Sequence, residues 1–259
     1  MDRKTFKTIC RNRTQCWGTV MTEYMDPQVV RAIARAGFDW IWVDNEHAYH
    51  SDDKLYEVIR TAEDLGVITL VRVRQSDYAN IAHTLDMAPS GIIVPRVESP
   101  KQMRQIVQAA KFPPVGGRGF GMRPSLFGKN AMTMRECVED QQHNRLLVVQ
   151  LETPKAIANI ESIADAADGQ VDAFFYGPAD FQMAVGKPDN PFGQEVLEGA
   201  QRLVEFSKKN NLSNGLPTTS IETAKRWKDT GFNLLTYLND DQIMSNGFAD
   251  GRYAVDALE

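Results

Sequence analysis

Long hydrophobic runs are missing from this 259-residue chain. No segment approaches the roughly 18 apolar residues that a membrane-spanning helix needs. Met1 to Cys16 is polar and charged and holds no apolar stretch of the signal-peptide kind. A cytoplasmic protein with no membrane partner is therefore expected. Cysteine is scarce: Cys10, Cys16 and Cys137 form an odd set without C-x-x-C spacing, which argues against a disulfide framework and against a zinc or redox motif. They are expected to be structural or exposed thiols, since none has the electropositive neighbours that a reactive thiolate needs. Runs of Lys and Arg interleaved with aromatics are absent too and the net charge is −5, so nucleic acid is not an expected partner. No G-x-G-x-x-G turn follows the first apolar run. The stretch Gly117-Arg118-Gly119-Phe120-Gly121 has a different spacing and follows prolines, which suits a flexible loop at an active site better than a nucleotide cradle.

What the chain does have is the 42% hydrophobic and 24% charged composition of an ordinary globular enzyme. Short β-branched or apolar runs alternate throughout with longer amphipathic stretches, the pattern of βα units around a parallel sheet. Strands are expected at Trp17–Met21, Trp40–Val43, Ile68–Val73, Gly91–Val97, Leu146–Leu151, Ala173–Tyr176, Ser213–Leu216 and Phe232–Leu238. Helices are expected at Gln28–Ala36, Asp52–Leu65, Asp77–Met87, Pro100–Ala110, Lys155–Ala167, Gln194–Asn210, Ile221–Thr230 and Asp241–Leu258, with Ser99-Pro100 and a Thr219/Glu222 capping box as start signals. Eight such units without a linker predict a closed (β/α)8 barrel, one domain spanning residues 1–259. An open doubly wound sheet is the alternative, but its phosphate turn is missing. A proline- and glycine-rich insertion, Lys111–Asn130, follows the fourth unit and is read as a loop that could cover a site.

Barrel enzymes draw their chemistry from the C-terminal ends of strands. Here those ends read Asp44-Asn45-Glu46-His47, Arg72, Gln150-Leu151-Glu152 and Gly177-Pro178-Ala179-Asp180. Glu152 and Asp180, on neighbouring strands, would repel each other unless a cation lay between them; an all-oxygen pair suits Mg2+ or Mn2+ with water and substrate completing the shell. Alternatively Glu152 caps the following helix and Asp180 pairs with a lysine. His47 follows Asp44 closely enough for the carboxylate to orient its ring as a general base, or it is a structural histidine. Arg72, if it faces the barrel interior, must meet an anion, either a substrate carboxylate or enolate or an internal partner, Glu152 or Asp44. The turn at Gly177–Asp180 is expected to open a short helix whose free N–H groups, at Ala179 and Asp180, suit a substrate carboxylate.

Taken together, Gly37-Phe38-Asp39-Trp40, Asp44-Asn45-Glu46-His47, Leu70-Val71-Arg72, Gly91-Ile92-Ile93-Val94-Pro95, Pro113-Pro114 before Gly117-Arg118-Gly119, Gln150-Leu151-Glu152-Thr153 and Gly177-Pro178-Ala179-Asp180 resemble the HpcH/HpaI aldolases, metal-dependent class II pyruvate aldolases. The resemblance spans nearly the whole chain. It implies a (β/α)8 barrel whose last helix is exchanged between subunits, usually in a homohexamer. It also implies a divalent cofactor (Mg2+, Mn2+ or Co2+) on Glu152 and Asp180, pyruvate contacts from Arg72 and Gln150, and a proton-transfer pair of His47 and Asp44. The expected reaction is reversible aldol cleavage of a 4-hydroxy-2-oxo acid to pyruvate, or a close 2-oxo acid, and an aldehyde. A citrate-lyase-β-like lyase acting on a CoA thioester and a non-catalytic 2-oxo-acid binder are the alternatives. The chain departs from the family's pattern at Met122-Arg123-Pro124, at Phe181-Gln182-Met183 and at Thr236–Asp240, and these departures leave the aldehyde open.

Overall fold

A computed structural model describes residues 1–123, 126 and 132–258. Eight strands close into a parallel barrel in chain order: β1 (Cys16–Met21), β2 (Trp40–Asp44), β3 (Ile68–Arg72), β4 (Gly91–Val94), β5 (Leu146–Leu151), β6 (Ala173–Tyr176), β7 (Ser213–Thr218) and β8 (Leu234–Asn239). All eight expected strands form, with ends moved by up to three residues. The helices are α1 (Arg3–Asn12), α2 (Pro27–Ala36), α3 (Asp52–Leu65), α4 (Tyr78–Asp86), α5 (Pro100–Ala110), α6 (Met134–Asn144), α7 (Pro154–Ala158), α8 (Ile160–Ala167), α9 (Pro178–Ala184), α10 (Gln194–Lys209), α11 (Ile221–Thr230) and α12 (Asp240–Asp256).

Alternation along each strand sorts side chains between two cores. Trp40, Trp42, Ile68, Leu70, Leu146, Val148, Ala173 and Phe175 pack together inside the barrel. Ile41, Val43 and Val71 point outward onto Val58, Ile59 and Ala62 of α3. Large aromatics fit inside because two facing positions lack a side chain. A Cβ on Gly18 would stand 2.6 Å from the Trp40 ring, and one on Gly215 would stand 2.6 Å from Phe175.

Among the described residues, two helices were not foreseen. In α1, Asp2 caps the first turn by accepting from the Thr5 N–H, and Phe6 and Cys10 plug the barrel's N-terminal end against Trp40 and Cys16. Only these two residues of α1 are buried, too short a stripe to read as core. The other is α6, which opens with a Thr133/Glu136 capping box; the short α9 is the helix expected to open at the Gly177–Asp180 turn. The expected helix Lys155–Ala167 is broken at Asn159, which leaves helical geometry and donates its side-chain amide to the Glu98 carbonyl. The box at the start of α11 is Ser220/Thr223 rather than Thr219/Glu222. All three cysteines are buried, and burial pushes the Cys10 and Cys16 thiols up, away from reactivity.

The described part of the 111–130 insertion lies along the outer helices. Arg118 pairs with Asp86 of α4 at 2.7 Å and lies 4.8 Å from the Phe112 ring. The Gly119 N–H donates to the Tyr78 hydroxyl. Pro124 and Gly128, with the rest of residues 124, 125 and 127–131, lie outside the described residues. Helix α12 does not fold back over the barrel: Asp240 alone is buried, while Phe248, Tyr253, Val255 and Leu258 are exposed. Where an eighth barrel helix would pack, an apolar groove of about 350 Å³ is lined by Trp17, Phe38, Ile221, Ala224 and Tyr237. Among the described residues no helix is long and apolar enough to cross a membrane.

Candidate active site

The parity that fills the barrel carries on past the strand ends. Trp42 leads to Asp44, Leu70 to Arg72, Val148 to Gln150 and Glu152, and Phe175 to Gly177, so these residues converge on the C-terminal mouth. Asp44 and Arg72 are register partners on β2 and β3. Arg72 grips Asp44 through both oxygens, Nε to Oδ1 at 2.8 Å and Nη2 to Oδ2 at 2.7 Å, and its guanidinium lies 5.2 Å from the Trp42 ring. Burial pushes the Asp44 carboxyl up, but the hydrogen bonds and charge of Arg72 more than offset this and hold it below its usual value. Of the five guanidinium N–H groups, two donate to Asp44, and Nη1 forms an ion pair with Glu46 Oε2 at 3.1 Å.

Glu152 is 3% exposed at the end of β5. Its Oε1 accepts the Arg96 N–H at 2.8 Å and its Oε2 the Gln150 amide at 2.5 Å. Arg96 holds that donor in place with a left-handed φ of 57°. The carboxylate lies flat against β6 because residue 177 is glycine; a Cβ there would stand 2.5 Å from Glu152 Oε2 and 2.8 Å from the Gln150 amide nitrogen. Burial first, then the negative charges of Asp180 and Glu46, push the Glu152 carboxyl up to about 8. The Gln150 side-chain oxygen Oε1 is buried and has no partner among the described residues.

Asp180 lies in the first turn of α9. It acts on both Glu152 and Glu46 electrostatically, so the structure brings together the two carboxylates expected to hold a metal. The bland alternative for Glu152 fails, because Thr153 caps the following helix. Among the described residues no group of three or more His, Cys, Asp or Glu is arranged around one metal position. Two carboxylates are an all-oxygen donor pair of the kind that could hold a hard divalent cation keeping water or substrate oxygens in its shell. Such an ion would offset the burial and the carboxylate repulsion that raise the Glu152 pKa.

The expected pairing of His47 with Asp44 is not the contact formed. Both Asp44 oxygens are engaged by Arg72, and Oδ1 also accepts the Glu46 N–H. The His47 ring is 63% exposed, with Nε2 3.7 Å from Glu46 Oε2. Glu46, unassigned from sequence, thus links Arg72 to His47. Its position two residues past Asp44, on the same parity, was the available signal. Arg74, two residues beyond Arg72, has left the strand and pairs at the surface with Asp52. On the opposite side of the mouth, Asp240 accepts the N–H groups of Thr22, Glu23 and Tyr24 and so fixes the loop after β1.

With this geometry in place, the comparisons decide the family. The family model described as HpcH/HpaI aldolase/citrate lyase matches residues 21–239. The chain belongs to the HpcH/HpaI aldolase/citrate lyase family. It is 32% identical over 230 residues to a hydroxypyruvate/pyruvate aldolase of Delftia acidovorans, covering 87% of this chain and 82% of that one. It is 30% identical over 192 residues to a 2-keto-3-deoxy-L-rhamnonate aldolase of Salmonella gallinarum, covering 73% and 67%. Among solved structures, the HpcH/HpaI aldolase of Desulfitobacterium hafniense superposes with a TM-score of 0.88 at 26% identity, over 98% of this chain and 96% of that one. All the HpcH/HpaI motif residues from Asp44 to Asp180 fall within the matched span.

Proposed function

We propose that this protein is a divalent-metal-dependent aldolase that reversibly cleaves a 4-hydroxy-2-oxo acid into pyruvate, or a close 2-oxo acid, and an aldehyde. The observation that carries the reading is the carboxylate pair Glu152 and Asp180 beside Gln150 and the Arg72 guanidinium. The names of the relatives support an aldol reaction on a pyruvate-type donor rather than CoA-thioester cleavage or simple binding.

Glu152 and Asp180 would hold Mg2+, Mn2+ or Co2+, and the bound ion would supply positive charge where the enolate oxygen gains negative charge. Arg72 turns its remaining N–H groups to the same developing charge, held in place by Asp44 and Glu46. Gln150 and the free N–H groups of Ala179 and Asp180 orient the substrate carboxylate. His47, at the open rim beside Glu46, takes the methyl proton in the condensation direction. In cleavage the same imidazole removes the 4-hydroxyl proton, the C3–C4 bond breaks, and its electron pair stays on the 2-oxo acid as the enolate while the aldehyde leaves.

The test is exchange of the pyruvate methyl protons with deuterium in D2O, followed by NMR after chelation and after adding back Mn2+ or Mg2+. Metal-dependent exchange that is lost in Glu152→Gln and His47→Asn is the expected result. No exchange with any metal would overturn the reading, because that half-reaction needs no knowledge of the aldehyde.

The same proposal covers assembly. Exposed apolar residues on α12 and an empty apolar groove beside β1 and β8 support exchange of the last helix with a second copy of the chain, within the homohexamer expected of the family. Unpaired, buried cysteines suit a reducing compartment such as the cytoplasm.

A further inference from the structure

The barrel face opposite the mouth carries a feature that the aldolase chemistry does not use. A cleft of about 340 Å³ opens there, between α1, the C-terminal end of α6 and the segments entering β6 and β7. Lys7, Arg11, Lys111, Gln142, His143 and Asp172 line it. Three fixed cations face a single carboxylate, in a protein whose net charge is −5.

The carboxylate is already engaged. Asp172 Oδ1 pairs with Lys7 at 3.1 Å and Oδ2 accepts the Leu147 N–H at 2.9 Å. Lys7 also donates to the His143 carbonyl, and Lys111 donates to the Gln142 carbonyl at 3.1 Å. These carbonyls end α6, so each lysine caps a helix C-terminus. Capping accounts for Lys7, which has two acceptors. It does not account for Lys111, which is 3% exposed yet uses one of its three N–H donors among the described residues. A buried ammonium with unmet donors is costly, and burial pushes Lys111 down to about 8. An anion in the cleft would meet those donors and offset the cost of burying the charge.

We propose that this cleft is a second ligand site, remote from the catalytic mouth, for a small multiply charged oxyanion of the phosphate type. Lys111 supplies the buried donors, Arg11 reaches the anion from the exposed face of α1, and Lys7 adds charge from beside Asp172. The proposal does not rest on the aldolase reading.

Isothermal titration of the metal-loaded protein, held in excess pyruvate to fill the mouth, tests it with two probes: inorganic phosphate and a phosphate monoester such as glycerol phosphate. One saturable site per chain is expected, weakened about tenfold or more by Lys111→Met, the scale of losing a charge-assisted hydrogen bond. Arg11→Gln, at an exposed position that folding does not need, is expected to weaken it as well and serves as the test if Lys111→Met fails to fold. Tighter binding of the monoester would identify a phosphorylated metabolite as the ligand; equal or weaker binding would identify free phosphate. Absence of saturable binding at millimolar probe, or binding that both variants leave unchanged, would overturn the site. So would displacement of the probe by pyruvate, since that would put the anion in the mouth.

Discussion

The charge balance of the mouth turns on Glu152. Its carboxyl is raised from 4.5 to about 8 in the metal-free fold, so between those values the folded chain keeps a proton that the unfolded chain has lost. Stability therefore falls as pH rises through that window. In chelator, the thermal midpoint of the parent should drop between pH 5 and pH 8. Glu152→Gln should flatten that drop while reducing metal-dependent exchange about a hundredfold or more. An unchanged slope in the variant would show that another group governs the pH dependence. Glu46 has a different place, contacting Arg72 at 3.1 Å and His47 at 3.7 Å but lying outside the proposed ligand pair. Glu46→Gln is expected to slow exchange about a hundredfold, the usual scale of acid–base assistance, with metal affinity kept. Titration of Mn2+ by electron paramagnetic resonance alongside the rate separates the two effects.

Two elements set the geometry that these residues use. The top of β6 must pass Glu152 without a side chain in the way, which Gly177 ensures. Gly177→Ala should displace Glu152 and weaken metal binding about ten- to a hundredfold, the range seen when a ligand loses its support, while circular dichroism stays that of the parent. Helix α1 works at the other end, where Phe6 is fully buried against Trp40, their ring centroids 6.5 Å apart. Phe6→Ala is expected to cost about 3–5 kcal/mol, measured by denaturant unfolding, and to leave exchange per folded molecule near the parental rate. A large fall in specific activity would mean that the plug also shapes the mouth.

At the scale of the whole molecule, the proposed exchange of the last helix would bring the apolar residues of α12 to the groove at Ile221. Phe248 and Tyr253 are exposed on their own barrel. An isolated chain would leave both surfaces wet, at roughly 25 cal/mol per Å² of apolar area. The intact protein should elute from size exclusion as a dimer or larger. Ile221→Asp, placing a charge in the groove, should shift it toward monomer while leaving the barrel folded. A monomeric parent at micromolar concentration would count against helix exchange.

The barrel itself was legible in the sequence because each strand carries its own signal, a short apolar run between turn residues that needs no distant partner to be read. The placement of the candidate residues was legible for the same reason: strand ends are where barrel chemistry collects, and Asp44, Arg72, Gln150, Glu152 and Asp180 all sit at or just beyond them. Partnership was legible only as alternatives, Asp44 being one of two internal partners read for Arg72. Sequence spacing put His47 with Asp44, but the Asp44 carboxylate is taken by Arg72 from the next strand, at 2.7 and 2.8 Å, a competition that only strand register settles. In the same way, only the folded chain brings Phe6 onto Trp40 and buries Lys111 beside the end of α6. Local pattern determines which segments become strands and which residues reach their ends. Which charges meet across those ends depends on contacts between residues far apart in the chain, and these exist only once the barrel has closed.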